Sequence, residues 1–278
     1  MANLQILKKR LKTIESTGEM ALAMKTVSSV KYTKLNRLHE AYAEYAQGCA
    51  DALELLGASG LKRRSDFVKK RNCFVYIGAN RGFCGGFNLE MARFFDARLA
   101  EEAEPPLVIA LGKRAEKHCR DKGIEGEFLP LDDIPAFEDA KSLAERLFSV
   151  YQNGEADKIF ILSQSFKNMM KPEPEKVQFL PRTEEGKKAE GNILFLPDRE
   201  TLGENPVLDC LVGYLYGILI SQATGAQAAT MIAMKNACDN ADEAGRKLSI
   251  SINRIRQAEV TNSVIETSAG MAAEFTEN

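Results

Sequence analysis

From Leu4 to Leu56 the chain contains no proline, and positions 4, 7, 11, 14, 18, 21, 25, 28, 32, 35, 39, 42, 46, 49, 53 and 56 step alternately by three and four. That spacing keeps one face of an α-helix toward a partner helix, the heptad rule of coiled coils. The face is apolar at its ends, with Leu4, Leu7, Leu11 and Ile14 at one and Cys49, Leu53 and Leu56 at the other. It is small or polar between them, at Gly18, Ala21, Lys25 and Ser28. At 1.5 Å per residue such a helix is roughly 80 Å long. A second proline-free stretch runs from Val207 onward with a seam of alanines, Ala226, Ala229, Ala233, Ala237, Ala241 and Ala244, continued by Leu248, Ile252, Ile255, Ala258, Val264 or Ile265, and Ala269. Alanine favours helix and lets a neighbouring helix come close. Helices so far beyond the usual length of about 11–12 residues do not fit inside one compact domain. They are expected to project and to bury their stripes against each other as an antiparallel coiled coil.

Between the helices the period changes. The segments 73–77 (CFVYI), 107–111 (LVIAL) and 159–162 (IFIL) are short apolar runs rich in β-formers, separated by helical patterns near 90–103, 113–121 and 139–151. This alternation predicts a mainly parallel sheet covered by helices. Segments 177–180 (VQFL) and 193–196 (ILFL) read as two closing strands joined by polar residues 181–191. The expected fold is therefore α/β: a long antiparallel coiled coil of N- and C-terminal helices with an inserted Rossmann-like α/β domain. Its parts are residues 1–60, 72–197 and 207–278.

Composition narrows the class. A chain of 278 residues with 45% hydrophobic and 27% charged positions is a folded protein, not a disordered one. Its formal charge of -2 hides a basic start, where Lys8, Lys9, Arg10, Lys12, Lys25, Lys31, Lys34 and Arg37 outnumber Glu15, Glu19 and Glu40, which suits an acidic partner. The six cysteines are scattered without a C-x-x-C pair, so neither a zinc site nor a disulfide framework is expected. The sequence shows neither a membrane-length apolar run nor a leader pattern, and no direct membrane insertion is expected.

Residues 78–88 (GANRGFCGGFN) form a glycine-rich loop between the first strand and a helix, the place of a phosphate cradle. The spacing fits neither G-x-G-x-x-G nor G-x-x-x-x-G-K-[ST], so a structural or partner-contacting loop is favoured and no cofactor is expected. Cys84 has no histidine near it in sequence, and His39 and His118 read as packed and solvated helix positions. The basic stretch Lys62–Arg71 offers only a weak case for nucleic acid, because Phe67 is its single aromatic residue. Lys25 and Ser28 on one seam, and Asn236 and Asn240 near the other, weaken a coiled coil unless something outside contacts them. Arg256, Gln257 and Thr261 stand on neighbouring helical turns, and the arginine is able to hold a carboxylate through two bonds.

Three separated stretches carry a resemblance over nearly the whole chain: 7–17 (LKKRLKTIEST) leading into 23–27 (AMKTV) and Lys31; 81–88 (RGFCGGFN); and 231–240 (MIAMKNACDN), followed by 253–257 (NRIRQ), Thr261, Glu266 and Gly270. In this order they resemble the gamma subunit of F-type ATP synthases. The resemblance implies a non-catalytic central rotor shaft that couples ion flow, of protons or sodium, to ATP synthesis or hydrolysis. In the family the terminal helices coil inside the hexamer of alpha and beta subunits, and the α/β domain sits beside the epsilon subunit and the ring of c subunits. This implies a peripheral position on the cytoplasmic face of a bacterial plasma membrane and no nucleic-acid partner. Met24, Lys25, Arg256, Gln257 and Thr261 match shaft positions that touch beta subunits, and Cys84 matches a loop facing beta's acidic lever segment. The chain departs from the family pattern at Asn80, at Ser221, Gln222, Gly225 and Gln227, at Thr230, and at Asn262 and Ser263, where carboxylates and one arginine are usual. A nucleotide- or NAD-dependent enzyme and a free-standing coiled-coil adaptor are the competing readings. The first lacks a convergent acid, base and nucleophile; the second rests on the basic linker alone.

Overall fold

The computed structural model describes residues 2–56, 71–166, 172–181 and 205–276. The elements in order are α1 (Ala2–Leu56), β1 (Cys73–Ile77), α2 (Phe87–Ala100), β2 (Leu107–Leu111), α3 (Lys113–Asp121), β3 (Glu127–Leu129), α4 (Phe137–Gln152), β4 (Ile159–Ser165), β5 (Glu173–Leu180) and α5 (Asn205–Thr276). Internal contacts divide the chain into two units, Met1–Val27 with Ile232–Asn278, and Ser28–Met231.

The second unit is built on a five-stranded sheet of order β3-β2-β1-β4-β5. The first four strands are parallel, with Val75 opposite Ile109 and Ile161, while β5 runs antiparallel to β4, with Val177 opposite Ile161. Side chains alternate across the sheet, so β1 feeds two cores. Cys73, Val75 and Ile77 join Leu143, Leu147 and Val150 of α4, Leu211, Leu215 and Leu219 of α5, and Leu53 of α1. Phe74 and Tyr76 join Met91 and Phe95 of α2 and Ala115 and Cys119 of α3. Tyr76 stacks on Phe95 at 4.5 Å between centroids. Each such aromatic removed from water contributes about 1.5–3 kcal/mol, which makes this sheet the stable frame on which the loop after β1 is hung.

Within this unit α1 and α5 run antiparallel at very short range. A Cβ on Gly217 would stand 2.6 Å from the Ala46 Cβ, and one on Gly213 would stand 2.6 Å from the Cys49 Sγ. Glycine at these two positions is a packing requirement. In the first unit the antiparallel pairing sets Gly18 against Ala241, with a Cβ at 18 lying 3.2 Å from the alanine methyl, and Gly245 faces Leu11 and Ile14. The Cys238 thiol points to the Gly18 carbonyl oxygen at 3.8 Å. All the seam positions read from the sequence between Leu4 and Leu53 are buried or half-buried, and Ala21, Ser28, Leu35, Cys49 and Leu53 are buried outright.

Several expectations are revised. α2 starts at Phe87 and ends at Ala100, three residues before the expected span at each end. The three-residue β3 was not legible, and the closing strand is longer than expected and antiparallel. The expected strand at 193–196, the polar segment 182–191 and the basic residues 62–70 lie outside the described residues. Asn236 and Asn240 are exposed, off the seam. Helix α5 does contain a window long and apolar enough to cross a membrane, by length and composition only, and most of it is buried inside the protein. Its hydrophobicity is that of a core helix, which explains a run that an inspection for uninterrupted apolar residues passes over.

Candidate functional site

The loop after β1 is held by its own polar side chains. Asn88, on the first turn of α2, accepts the Ala79 N–H at 3.3 Å and donates to the Arg81 carbonyl at 3.1 Å and to the Cys84 Sγ at 2.9 Å. Asn80 accepts the Lys113 N–H at 3.3 Å and donates to the Leu131 carbonyl, tying the loop to α3 and to the segment before α4. Gly78 lies so close to α3 that a Cβ would meet the Ala115 nitrogen at 2.7 Å. Cys84 turns inward and is 3% exposed, packed with Phe87 and with Ala226 of α5. Burial pushes its thiol up from the ordinary value, against the lowering effect of Asn88 and Arg114.

What the loop presents outward is different. Phe83 is 66% exposed and sits at φ 63°, a left-handed conformation that a bulky residue adopts at a cost. Arg81 beside it is also exposed, and its Nε lies 3.5 Å from an Asp133 carboxylate oxygen. The same oxygen takes the Lys31 ammonium of α1 at 2.5 Å. One carboxylate thus serves two cations. Sequence reasoning singled out Cys84 and missed Phe83, because a positive φ at a residue other than glycine leaves no mark in a hydrophobicity pattern.

The strand order reverses between β1 and β4, the crevice where open α/β sheets hold ligands at the carboxyl ends of strands. Here α5 fills it. Gln222, 3% exposed, donates to the Ile77 carbonyl at the end of β1 at 3.1 Å and accepts the Gln164 N–H of β4 at 2.5 Å. Gln164 in turn donates to the Phe87 carbonyl at 3.0 Å, and Ser221 accepts the Phe166 N–H at 3.0 Å. Ser221 and Gln222, noted in the sequence as replacements for family carboxylates, are therefore the polar joint between α5 and the sheet. A buried carboxylate at 222 would face the Ile77 carbonyl with no proton to give.

The remaining candidates lie in the first unit at two levels. Met24 and Lys25 on α1 are half-buried. Arg256, Gln257 and Thr261 on α5 are exposed, and the Thr261 hydroxyl bonds back to the Gln257 carbonyl at 2.9 Å, fixing those two residues on one face. The pairing of Gly18 with Ala241 puts Met24 and Arg256 on opposite sides of that level, about 30 Å apart along the helix axis at 1.5 Å per residue. The structure does not bring these groups together into one site. Beyond Glu259 the described α5 side chains are exposed, including Val260, Val264 and Ile265 at about 60%. Among the described residues α1 supplies no cover at this level, because α5 has 72 residues and α1 has 55.

Comparison with known proteins addresses this architecture directly. The family model described as ATP synthase matches residues 3–273. The ATP synthase gamma chain of Desulforamulus reducens is 30% identical over 98% of this chain and 99% of its own length. The gamma chain of Moorella thermoacetica is 29% identical over the same shares, and the sodium ion specific gamma chain of Acetobacterium woodii is 25% identical over 98% of both chains. Among solved structures, a chain of the Euglena gracilis mitochondrial ATP synthase (OSCP/F1/c-ring) superposes with a TM-score of 0.72 at 16% identity, covering 98% of this chain and 94% of that one. A chain of that enzyme's rotor superposes with a TM-score of 0.67 at 18% identity, covering 93% and 99%. A paired-helix shaft, a sheet whose ligand crevice is plugged by its own helix, and a match from end to end agree: the chain belongs to the ATP synthase family as a gamma chain, the non-catalytic subunit of the central stalk.

Proposed function

We propose that this gamma chain turns within a hexamer of alpha and beta subunits and couples ion flow through a ring of c subunits, with epsilon beside it, to ATP synthesis or hydrolysis. It works at the cytoplasmic face of a bacterial plasma membrane and is held there by its partners. Met24, Lys25, Arg256, Gln257 and Thr261 are the shaft contacts to beta subunits. Cys84 sets the loop from beneath, while Arg81 and Phe83 make its outward contact with an acidic segment of beta.

The observation that carries this reading is the group of exposed apolar side chains Val260, Val264 and Ile265 past Glu259, beside exposed Arg256 and Gln257. Three large apolar side chains exposed within two turns form the kind of surface that marks a contact with another protein. A shaft shifts nucleotide affinity at each site only by the difference in contact energy between its orientations. Modest polar contacts on a stiff rod serve that purpose better than a tight apolar grip.

The test is reconstitution with the host's alpha and beta subunits. One copy of the chain per complex, with ATP hydrolysis that depends on it and coupled turnover that falls in the Arg256→Ala, Gln257→Ala double variant, is the expected result. Failure to enter such a complex, combined with nucleotide or nucleic-acid binding by the chain alone, would sink the proposal.

A further inference from the structure

Two cysteines far apart in sequence meet where the end of α1 packs on the start of α5. Cys49 lies two turns before the end of α1, and Cys210 lies on the second turn of α5. Glycine at 213 makes the meeting possible. An added Cβ there would stand 2.6 Å from the Cys49 Sγ and 2.9 Å from the Tyr45 ring, so the Cys49 sulfur lies directly against the α5 backbone. Cys210 is three residues before Gly213 and therefore on the same face of the helix. Its thiol is near enough to Cys49 for a side-chain hydrogen bond between them, and the Tyr45 hydroxyl stands in the same relation to Cys49. Cys49 is 6% exposed, while Cys210 is half-buried and Tyr45 is exposed, so a small reagent reaches the pair from the Cys210 side. Cys73, Cys84 and Cys119 are buried, and the groups acting on their thiols include no second cysteine.

A disulfide needs Cα atoms about 4.4–6.8 Å apart and side chains that point toward one another. Helix pairs seldom meet the first condition, because their axes ordinarily stand about 8–10 Å apart. Here the glycines at 213 and 217 draw α1 and α5 nearer than side chains at those positions would allow. We infer that Cys49 and Cys210 form a reversible disulfide, a redox-responsive clip between α1 and α5 that is set by exchange with a small disulfide. The Cys210 thiolate attacks one sulfur of the reagent and releases its first thiol. The Cys49 thiolate then attacks the Cys210 sulfur and releases the second. One S–S bond breaks in the reagent and one forms in the chain; the two cysteines give up two electrons, and their protons leave on the two released thiols. Burial, the Cys49 sulfur and the Asp209 carboxylate push the Cys210 thiol up, so the first step quickens as pH rises. Helix ends fray, and the bond ties the end of one long helix to the start of the other. The clip follows from this packing and is independent of the chain's place in a rotor.

The experiment uses the full-length chain, reduced with dithiothreitol, freed of it, and incubated in its folded state with glutathione disulfide at neutral and mildly alkaline pH. After acid quenching and alkylation of free thiols, peptide mapping by mass spectrometry is expected to show Cys49 joined to Cys210 as the main cross-link. It should form faster at the alkaline pH and be reversed by dithiothreitol. Oxidation should raise the melting midpoint by roughly 5–10 °C, because the bond closes a loop spanning most of the chain. Cys49→Ser and Cys210→Ser each lose both the cross-link and the shift, and in Cys49→Ser the glutathione stays on Cys210 as a mixed disulfide. Circular dichroism of the reduced proteins checks that the variants fold. Glutathione left on Cys210 of the wild type without any bond to Cys49, cross-links between chains in place of this one, cross-linking that needs denaturant, or an unchanged melting midpoint in the oxidised chain would each overturn the proposal.

Discussion

Gln222 of α5 accepts the backbone N–H of Gln164 in β4 at 2.5 Å while giving its own amide hydrogen to Ile77 at the end of β1. The two strands are parallel neighbours, and a side chain inserted from a helix joins their carboxyl ends. Glutamine suits this place because it carries a donor and an acceptor on one planar group. A twist applied to α5 therefore reaches the sheet through directional bonds as well as through the apolar contact of Leu211, Leu215 and Leu219.

Gln222→Leu leaves a buried carbonyl and a buried N–H unpaired and should lower stability by roughly 2–6 kcal/mol, taking about 1–3 kcal/mol for each group. Gln222→Glu keeps the bond from Gln164 but sets a carboxylate oxygen against Ile77. Its deficit should shrink as acid protonates the new carboxyl and restores a donor. Urea unfolding followed by circular dichroism at neutral and acid pH reads both effects; a Leu variant as stable as the wild type would show that the joint carries no load.

The close approach of α1 and α5 predicts opposite outcomes for one substitution at two glycines. Gly217→Ala drives a methyl into Ala46 at 2.6 Å and should cost about 1–3 kcal/mol through overpacking. Gly48→Ala, within α1 and with open space around it, should stabilise by up to about 1 kcal/mol through helix propensity. Thermal melts of the two single variants against the wild type check both signs.

Phe83 is held at positive φ with its ring in solvent. Phe83→Gly removes a conformational strain of order 1–3 kcal/mol and should leave the fold as stable as before or slightly more so. Because the ring is proposed to meet a partner, the same variant should lower coupled ATP turnover in the reconstituted complex. Unchanged turnover would assign Phe83 no part in the contact.

His39 binds its proton less readily in the folded chain than in the unfolded one, because burial outweighs the favourable charge of Glu40. The unfolded state therefore takes up more protons as pH falls, and by linkage stability drops. The contribution is fully present above the unfolded value of about 6.5, declines as pH falls through it, and is lost once pH has passed the lower folded value. His39→Gln should flatten the stability profile across that window in denaturant titrations at a series of pH values.

The long helices and their shared seam were legible because the period that writes them is local. Leu4 to Leu53 repeat by threes and fours whatever the rest of the chain does, and all those positions came out buried or half-buried. The three central strands were legible for the same reason, as β-rich apolar runs bounded by turns, and the ordered motifs at both ends and in the middle carried the family. What remained hidden depends on partners distant in sequence. A strand as short as Glu127–Leu129 has too few positions to show an alternation, and it exists because β2 offers it an edge. The antiparallel direction of β5 is set by where the chain returns to β4, and its alternation reads the same either way. Val264 and Ile265 were read as continuing the stripe of Ile252, yet they stay exposed: the face that is buried or half-buried at Ile252, Ile255 and Glu259 runs on to Asn262 and Glu266. Gln222, a polar residue in an apolar stretch, looked like a lost family carboxylate, and only the meeting of α5 with two strands made it a joint. Local periodicity fixes which elements form; long-range hydrogen bonds, each needing both partners in place, decide which polar and exposed residues have work to do.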